Sequence, residues 1–323
     1  MIVQPYPGSA YHRLARTARH RWWRPVLGFL VIVVGWGAAA LLIFTAVWIA
    51  AVVAGRPENA DGLASFGAHA DLAVTFLVVA ALLPVTLLAT WWLQRRPVGS
   101  LSSVLGRLRW SWLLWCLLPA AAALTLTLAG GNALAVATGL DPGPDGSWAG
   151  WAPFLLSLGL LLLVVPVQAA AEEYAFRGFL LQAVGALMRR PWIPILVQAV
   201  LFAAIHGWGT PWGFADLVVF GVLTGYLTVR TGGLEAAIAL HVVNNLAAAG
   251  VAAALGQLTI DETAADLPWQ MVVVDVPVLI AYTLVVLWLA KRRRIAVVSP
   301  AGPDPAVLLP SVAYPGADLT HSR

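Results

Sequence analysis

The amino-acid sequence predicts an all-α, polytopic integral membrane protein with about eight transmembrane helices. Three observations carry the prediction. The 323 residues are 60% hydrophobic and 11% charged, against roughly 25% charged in a soluble domain, and a chain this apolar cannot cover a water-facing surface. Apolar runs near or above the ~20 residues that cross a bilayer recur along its length; eight are read, at about 26–54, 72–94, 111–131, 151–176, 191–209, 213–230, 234–254 and 271–290. Positive charge gathers in alternate loops, the pattern of loops retained in the cytoplasm.

The elements follow in order. Residues 1–25 form a basic cytoplasmic arm with Arg13, Arg16, Arg19, Arg21 and Arg24, and Trp22 and Trp23 suit the headgroup layer. The first run is too long and lies too far in for a cleaved signal peptide, and other spans follow it. Arg95, Arg96, Arg107 and Arg109 occupy the loop after the second run. The single cysteine, Cys116, sits in the third run, which rules out an internal disulfide and marks a small packing residue. Residues 131–149 read as a Gly/Pro/Asp loop on the outer side. Arg189 and Arg190 separate runs four and five, and Arg230 separates six and seven. The sixth run is short and has Asp216 near its start, and Gly232-Gly233 is a tight turn. Lys291 to Arg294 end the eighth run. The charge pattern places 26–294 in the cell membrane and both termini in the cytoplasm. Residues 295–323 are proline-rich, poor in large apolar side chains, and expected to be a disordered tail. A basic face on a soluble module, which nucleic-acid binding would need, is not visible.

Polar groups inside the apolar runs are the functional candidates, because ionisable side chains are costly in a bilayer. Those of interest for function fall between residues 172 and 245. Glu172 and Glu173 end a long apolar run, with Arg177 after them. In a helix Glu173 and Arg177 are i and i+4 on one face, in the favourable order for an ion pair. Glu172 is rotated about 100° away, which leaves it for chemistry as a general base or acid. A charged helix end at the headgroups is the alternative. His206 follows Phe202 by four residues and lies as far beyond the Arg189-Arg190 turn as Glu173 lies before it. A helical hairpin would set both ~24–26 Å from the turn; otherwise His206 is an interfacial residue at a span end. His241 and Asn245 share a helix face at i, i+4, suited either to a site or to interhelical hydrogen bonds. Together these groups could line one internal cavity, activate a water and stabilise an oxyanion. Asp275, Asp216 and Glu235 read as packing or helix-terminus residues.

Glu-Glu-x-x-x-Arg (Glu172, Glu173, Arg177), Phe-x-x-x-His (Phe202, His206) and His-x-x-x-Asn (His241, Asn245), in this order over about residues 150–250, resemble the CPBP (Abi) family of intramembrane proteases, which includes the type 2 CAAX prenyl proteases. The resemblance implies an eight-helix core around a catalytic cavity that opens to the cytoplasm. It implies that Glu172 activates the hydrolytic water with help from His206, and that His241 and Asn245 stabilise the oxyanion. It leaves two chemistries open, a zinc metalloprotease and a metal-free glutamic protease. Glu172, His206 and His241 make a plausible His₂Glu zinc set, although no His-Glu-x-x-His helix is present.

The expected activity is therefore endoproteolysis of a peptide or protein substrate at the membrane. A proton-coupled transporter or a non-catalytic immunity or binding protein is the alternative, since intramembrane Glu and His also serve proton relays. Visible repeat symmetry, common in transporters, is lacking. One lysine against 18 arginines, with abundant Ala, Val and Leu, suits a GC-rich bacterial genome, where prenylated CAAX proteins are not expected. Bacteriocin or peptide processing, or self-immunity, is the corresponding setting.

Overall fold

A computed structural model describes residues 2–59, 61–140, 147–258 and 264–300. The described residues are all-helical apart from isolated bridges. Seven helical stretches are long and apolar enough to span a membrane. They are α1 (Trp23–Val53), the pair α2 (Ala68–Ala80) and α3 (Leu82–Trp92), α4 (Trp110–Ala137), α5 (Trp151–Glu173) continued through Tyr174–Leu180 into α6 (Leu181–Gly185), α8 (Pro211–Thr231), α9 (Glu235–Ala254) and α10 (Trp269–Arg292). The eighth helix, α7 (Trp192–Ile205), has 14 residues.

The expected eight spans are thus seven long helices and one short one. At 1.5 Å per residue α7 is about 21 Å long, short of the ~30 Å hydrocarbon core. Its end has a local cause: Gly207 and Gly209 adopt φ of 90° and 42° immediately after it, where helical propagation stops. The sixth run, despite Asp216, is a full 21-residue helix. The expected outer loop begins later than 131, because α4 stays helical to Ala137. The second run is broken at Ala81, three residues before Pro84, whose missing N–H weakens the turn before it. Most of the expected disordered tail, from 301 on, lies outside the described residues.

Large apolar side chains cover the outside of the bundle: Val34, Leu42, Leu118 and Leu163 are all about 70% exposed, as a lipid-facing surface requires. Inside, α4 packs on α10 and α9, α5 on α9 and α2, and α7 on α8. Helix α8 ends on Gly232 in the left-handed conformation (φ 70°), the usual glycine helix stop.

The arm is folded onto the bundle. Tyr11 and Leu14 are fully buried, the Tyr11 hydroxyl donates to the Leu101 carbonyl, and His12 Nε2 lies 3.3 Å from the Arg189 carbonyl. The arm also pairs with the segment after α10: Ala10 bridges Val298, the Gly8 amide donates to the Ser299 carbonyl, and the Ser299 amide to the Ser9 carbonyl. Both described ends of the chain therefore lie at the same end of the bundle.

Candidate active site

The polar groups predicted from the motifs come from three elements. Helix α5 carries Glu172 and Glu173 on its last α-helical turn, and the chain then widens into a seven-residue π-helical segment, Tyr174–Leu180, that carries Arg177. Such segments are rare and recur at functional sites. Here the wider turn sends two side chains to different partners. The Tyr174 hydroxyl meets Ser102 Oγ at 2.6 Å, and Arg177 turns inward to full burial. Helix α9 supplies His241 and Asn245, and α7 supplies Phe202 and His206.

Glu173 is the hub. It is fully buried, and its Oε1 accepts from Arg177 Nη1 at 3.0 Å and from His241 Nδ1 at 2.8 Å. The Glu173–Arg177 ion pair expected from spacing is present. A carboxylate only accepts, so His241 donates to Glu173 through Nδ1. Its Nε2 faces Glu172 Oε2 across 3.7 Å, too far for a direct hydrogen bond and suited to a shared water. The other oxygen of Glu172 accepts from Gln168 Nε2 at 2.5 Å, and Gln168 Oε1 accepts from Asn245 Nδ2 at 3.0 Å. A chain of contacts thus runs Asn245, Gln168, Glu172, His241, Glu173, Arg177. Among the described residues neither Glu172 Oε2 nor Glu173 Oε2 has a hydrogen-bond partner. Of the two carboxylates, Glu173 is the one paired with Arg177, and the bare oxygen of Glu172 faces His241 Nε2.

Aromatic rings close the other side. The Arg177 guanidinium lies 4.1 Å from the Phe202 centroid and 5.5 Å from that of Phe220, a contact of about 2 kcal/mol when desolvated. Both rings meet His241 edge-on, at 5.9 and 5.7 Å. His206 joins the cluster only through Phe202. It is half-buried at the C-cap of α7, its ring is 4.6 Å from that of Phe202, and its Nδ1 donates to the Phe202 carbonyl at 2.8 Å.

The zinc expectation does not fit the residues present. Among the described residues no group of three His, Cys, Asp or Glu side chains gathers as a ligand set. Glu172 and His241 offer two facing atoms, and among the described residues the contacts of His206 to the cluster run through Phe202. Spacing alone also misses two members of the cluster. Gln168 had a readable signal, a carboxamide four residues before Glu172 in an otherwise apolar run. Phe220 had none, as one apolar residue among many in α8.

A second buried ion pair holds α9 in place. Arg109 grips Glu235 through Nε at 2.8 Å, Nη2 at 2.6 Å and its backbone amide at 2.9 Å, and its remaining N–H groups reach the Thr231 and Ala296 carbonyls. Asp275 accepts from Thr127 at 2.8 Å, joining α10 to α4. Both contacts are structural.

Comparison with known proteins bears on the same region. A family model described as type II CAAX prenyl endopeptidase Rce1-like matches residues 153–247. The uncharacterized protein YyaK of Bacillus subtilis (strain 168) is 36% identical over 99 residues, 29% of this chain and 33% of that relative. The match therefore spans about a third of the relative's length. No solved structure matches. The matched stretch holds Glu172, Glu173, Arg177, Phe202, His206, His241 and Asn245 together with the π-helical segment, and residues 153–247 form an Rce1-like type II CAAX prenyl endopeptidase (CPBP) family domain.

Proposed function

We propose that the protein is an intramembrane endopeptidase in which Glu172 is the general base. The observation that carries the reading is that Glu172 Oε2, without a hydrogen-bond partner among the described residues, faces His241 Nε2 across 3.7 Å. A water donating one O–H to each presents its lone pairs away from both, the polarity a nucleophile needs. Attack on a peptide carbonyl forms the C–O bond, moves the π pair onto the carbonyl oxygen and passes a proton to Glu172. Collapse of the oxyanion breaks the C–N bond, and Glu172 returns the proton to the leaving amine. Asn245 has an amide N–H beyond the one given to Gln168 and serves the oxyanion. His241 is held in one tautomer by Glu173 and orients the water. His206, at the rim, positions the incoming chain.

The substrate class is a peptide or protein segment that reaches the site from the membrane surface. Peptide maturation or self-immunity in a bacterial cell membrane is the setting, with both termini in the cytoplasm. The test uses purified protein in proteoliposomes and a quenched-fluorescent peptide library carrying a membrane-anchoring segment. Glu172→Gln lowers cleavage by about 10²–10⁴, the range of one general base, and chelation leaves wild-type cleavage unchanged. Full activity in Glu172→Gln removes Glu172 from the mechanism, and loss of activity on chelation restores the zinc alternative.

A further inference from the structure

Away from the catalytic cluster, α4 and α10 lie side by side with a cleft between them on the lipid-facing side of the bundle. Its apolar part, about 310 Å³, is bounded lengthwise by Trp115 and Leu126 on α4 and by Leu289 and Val278 on α10. Each of these pairs is eleven residues apart, so the cleft is about 16 Å long on both helices. That is one leaflet of a ~30 Å hydrocarbon core. Ala123 and Tyr282, both buried, lie at its base, and the small exposed side chains of Ala122 and Ala281 leave its sides open. At the end where α10 finishes, it continues through Leu289 into a second cavity of about 540 Å³ formed by Trp288, Leu289, Arg292 and Arg293.

The cations at that end are arranged over rings. The Arg292 guanidinium lies 4.4 Å from the Trp288 centroid and that of Arg293 lies 3.5 Å from Trp115, on the opposite helix. Both arginines are exposed. Among the described residues neither has a carboxylate partner. Stacking on an indole holds a guanidinium in place and leaves its edge N–H groups free for an anion. A slot of one acyl-chain length, capped at headgroup depth by two ring-held guanidinium groups, has the shape and charge of one kind of occupant.

We propose that the α4–α10 cleft is a binding site for an anionic phospholipid of the leaflet on the arginine side. One acyl chain lies between the helices, and the phosphate is held by Arg292 and Arg293. The apolar slot excludes a free phosphate as the sole occupant, and the two cations select against a zwitterionic lipid, whose own choline would compete for the phosphate.

The test uses the full chain in nanodiscs of dioleoylphosphatidylcholine containing a minor fraction of dioleoylphosphatidylglycerol, with lipid retention measured by native mass spectrometry after detergent release. Wild type retains phosphatidylglycerol in excess of its bulk fraction. Arg292→Gln with Arg293→Gln lowers that enrichment roughly 30-fold, the effect of two cations at an anionic headgroup. Lys291→Gln with Arg294→Gln removes the same charge beside the cleft and leaves the enrichment within about threefold. Ala281→Trp puts an indole into the slot from its side and abolishes retention while Arg292 and Arg293 remain. Equal retention of the two lipids overturns the proposal. So does an equal loss in both double variants, which would mark a diffuse basic belt, or undiminished retention in Ala281→Trp. Inorganic phosphate that competes away the bound lipid at millimolar concentration would place the affinity in the headgroup alone and overturn the role of the slot.

Discussion

Adjacent carboxylates on one turn are set apart by their surroundings, and the difference is measurable. Glu173 is fully buried and bonded to two donors, Arg177 at 3.0 Å and His241 at 2.8 Å. Glu172 has one carboxamide partner and one bare oxygen. Glu173→Gln removes the negative charge and leaves Arg177, itself fully buried, without its ion-pair partner. Breaking a buried pair from one side costs about 3–5 kcal/mol. At 2 °C or more per kcal/mol this lowers Tm by at least roughly 6 °C. The same change frees the His241 ring, so cleavage falls as well. Glu172→Gln is nearly isosteric, and its carboxamide oxygen still accepts from Gln168. It leaves Tm within about 2 °C, because it costs no more than about 1 kcal/mol, yet it lowers cleavage by about 10²–10⁴. The assay is thermal unfolding in one detergent, followed by tryptophan fluorescence, with peptide cleavage measured on the same samples. Equal melting losses for the two variants would refute the division of labour. So would a Glu173→Gln protein as stable as wild type.

Three other outcomes follow from named contacts. Gln168→Leu removes the donor to Glu172 and the acceptor for Asn245; kcat falls about 10²-fold through misplacement with KM nearly unchanged, as read from steady-state kinetics. Arg109→Lys keeps the charge but loses the fork on Glu235 and the bonds to Thr231 and Ala296, and unfolding shows a loss of about 3 kcal/mol or more. The arm is acid-sensitive. Burial, and secondarily Arg13, holds the His12 imidazole below its ordinary 6.5, against the raising effect of the Arg189 carbonyl. The docked arm prefers the neutral ring, so its contribution is complete above pH 6.5 and is lost as pH falls below that. Hydrogen exchange across residues 8–16, corrected for intrinsic rate, rises on going from pH 7.5 to 5. Gly185→Val, whose Cβ would lie 2.0 Å from the His12 carbonyl oxygen, gives the released pattern already at pH 7.5.

Much of the fold was legible because apolar length is nearly sufficient to identify a spanning helix. The spacing of Glu173 and Arg177 likewise gave their ion pair, since both partners lie on one element. What was not legible depends on contacts between elements. Arg109 and Glu235 are 126 residues apart; separately they read as a loop cation and a helix-terminus acid, and only packing joins them. The π-helical segment leaves no mark in periodicity, because its residues are as mixed as those of the turns around it. Phe202 looked like part of a motif, but nothing in its spacing reveals a ring that touches Arg177, His206 and His241 at once. The length of α7 was misread because His206 and the residues beyond it continue an apolar run whose backbone has already left the helix.

The depth of the site shows why the connecting loops matter to it. Glu173 lies twelve residues before the end of α6 at Gly185, whereas His241 lies only six residues, about 9 Å, below Glu235 at the start of α9. The two side chains nevertheless meet at 2.8 Å. The α9 start therefore sits deeper than the α6 end. The segment after α3 fills that step. Its Ser102 carbonyl accepts from the Leu234 amide, its Val104 amide donates to the Gly232 carbonyl, and Arg109 clamps Glu235. Tyr174 reaches the same Ser102 from the π-helical segment, so one short stretch is fastened to both helices that carry Glu172 and His241. Helical packing lets α5 and α9 slide past each other by a turn at modest cost, but this stretch does not, because its bonds name particular residues on each side. The register that brings His241 opposite Glu172 is thus fixed outside the spans, by a loop in which sequence reading saw only positive charge.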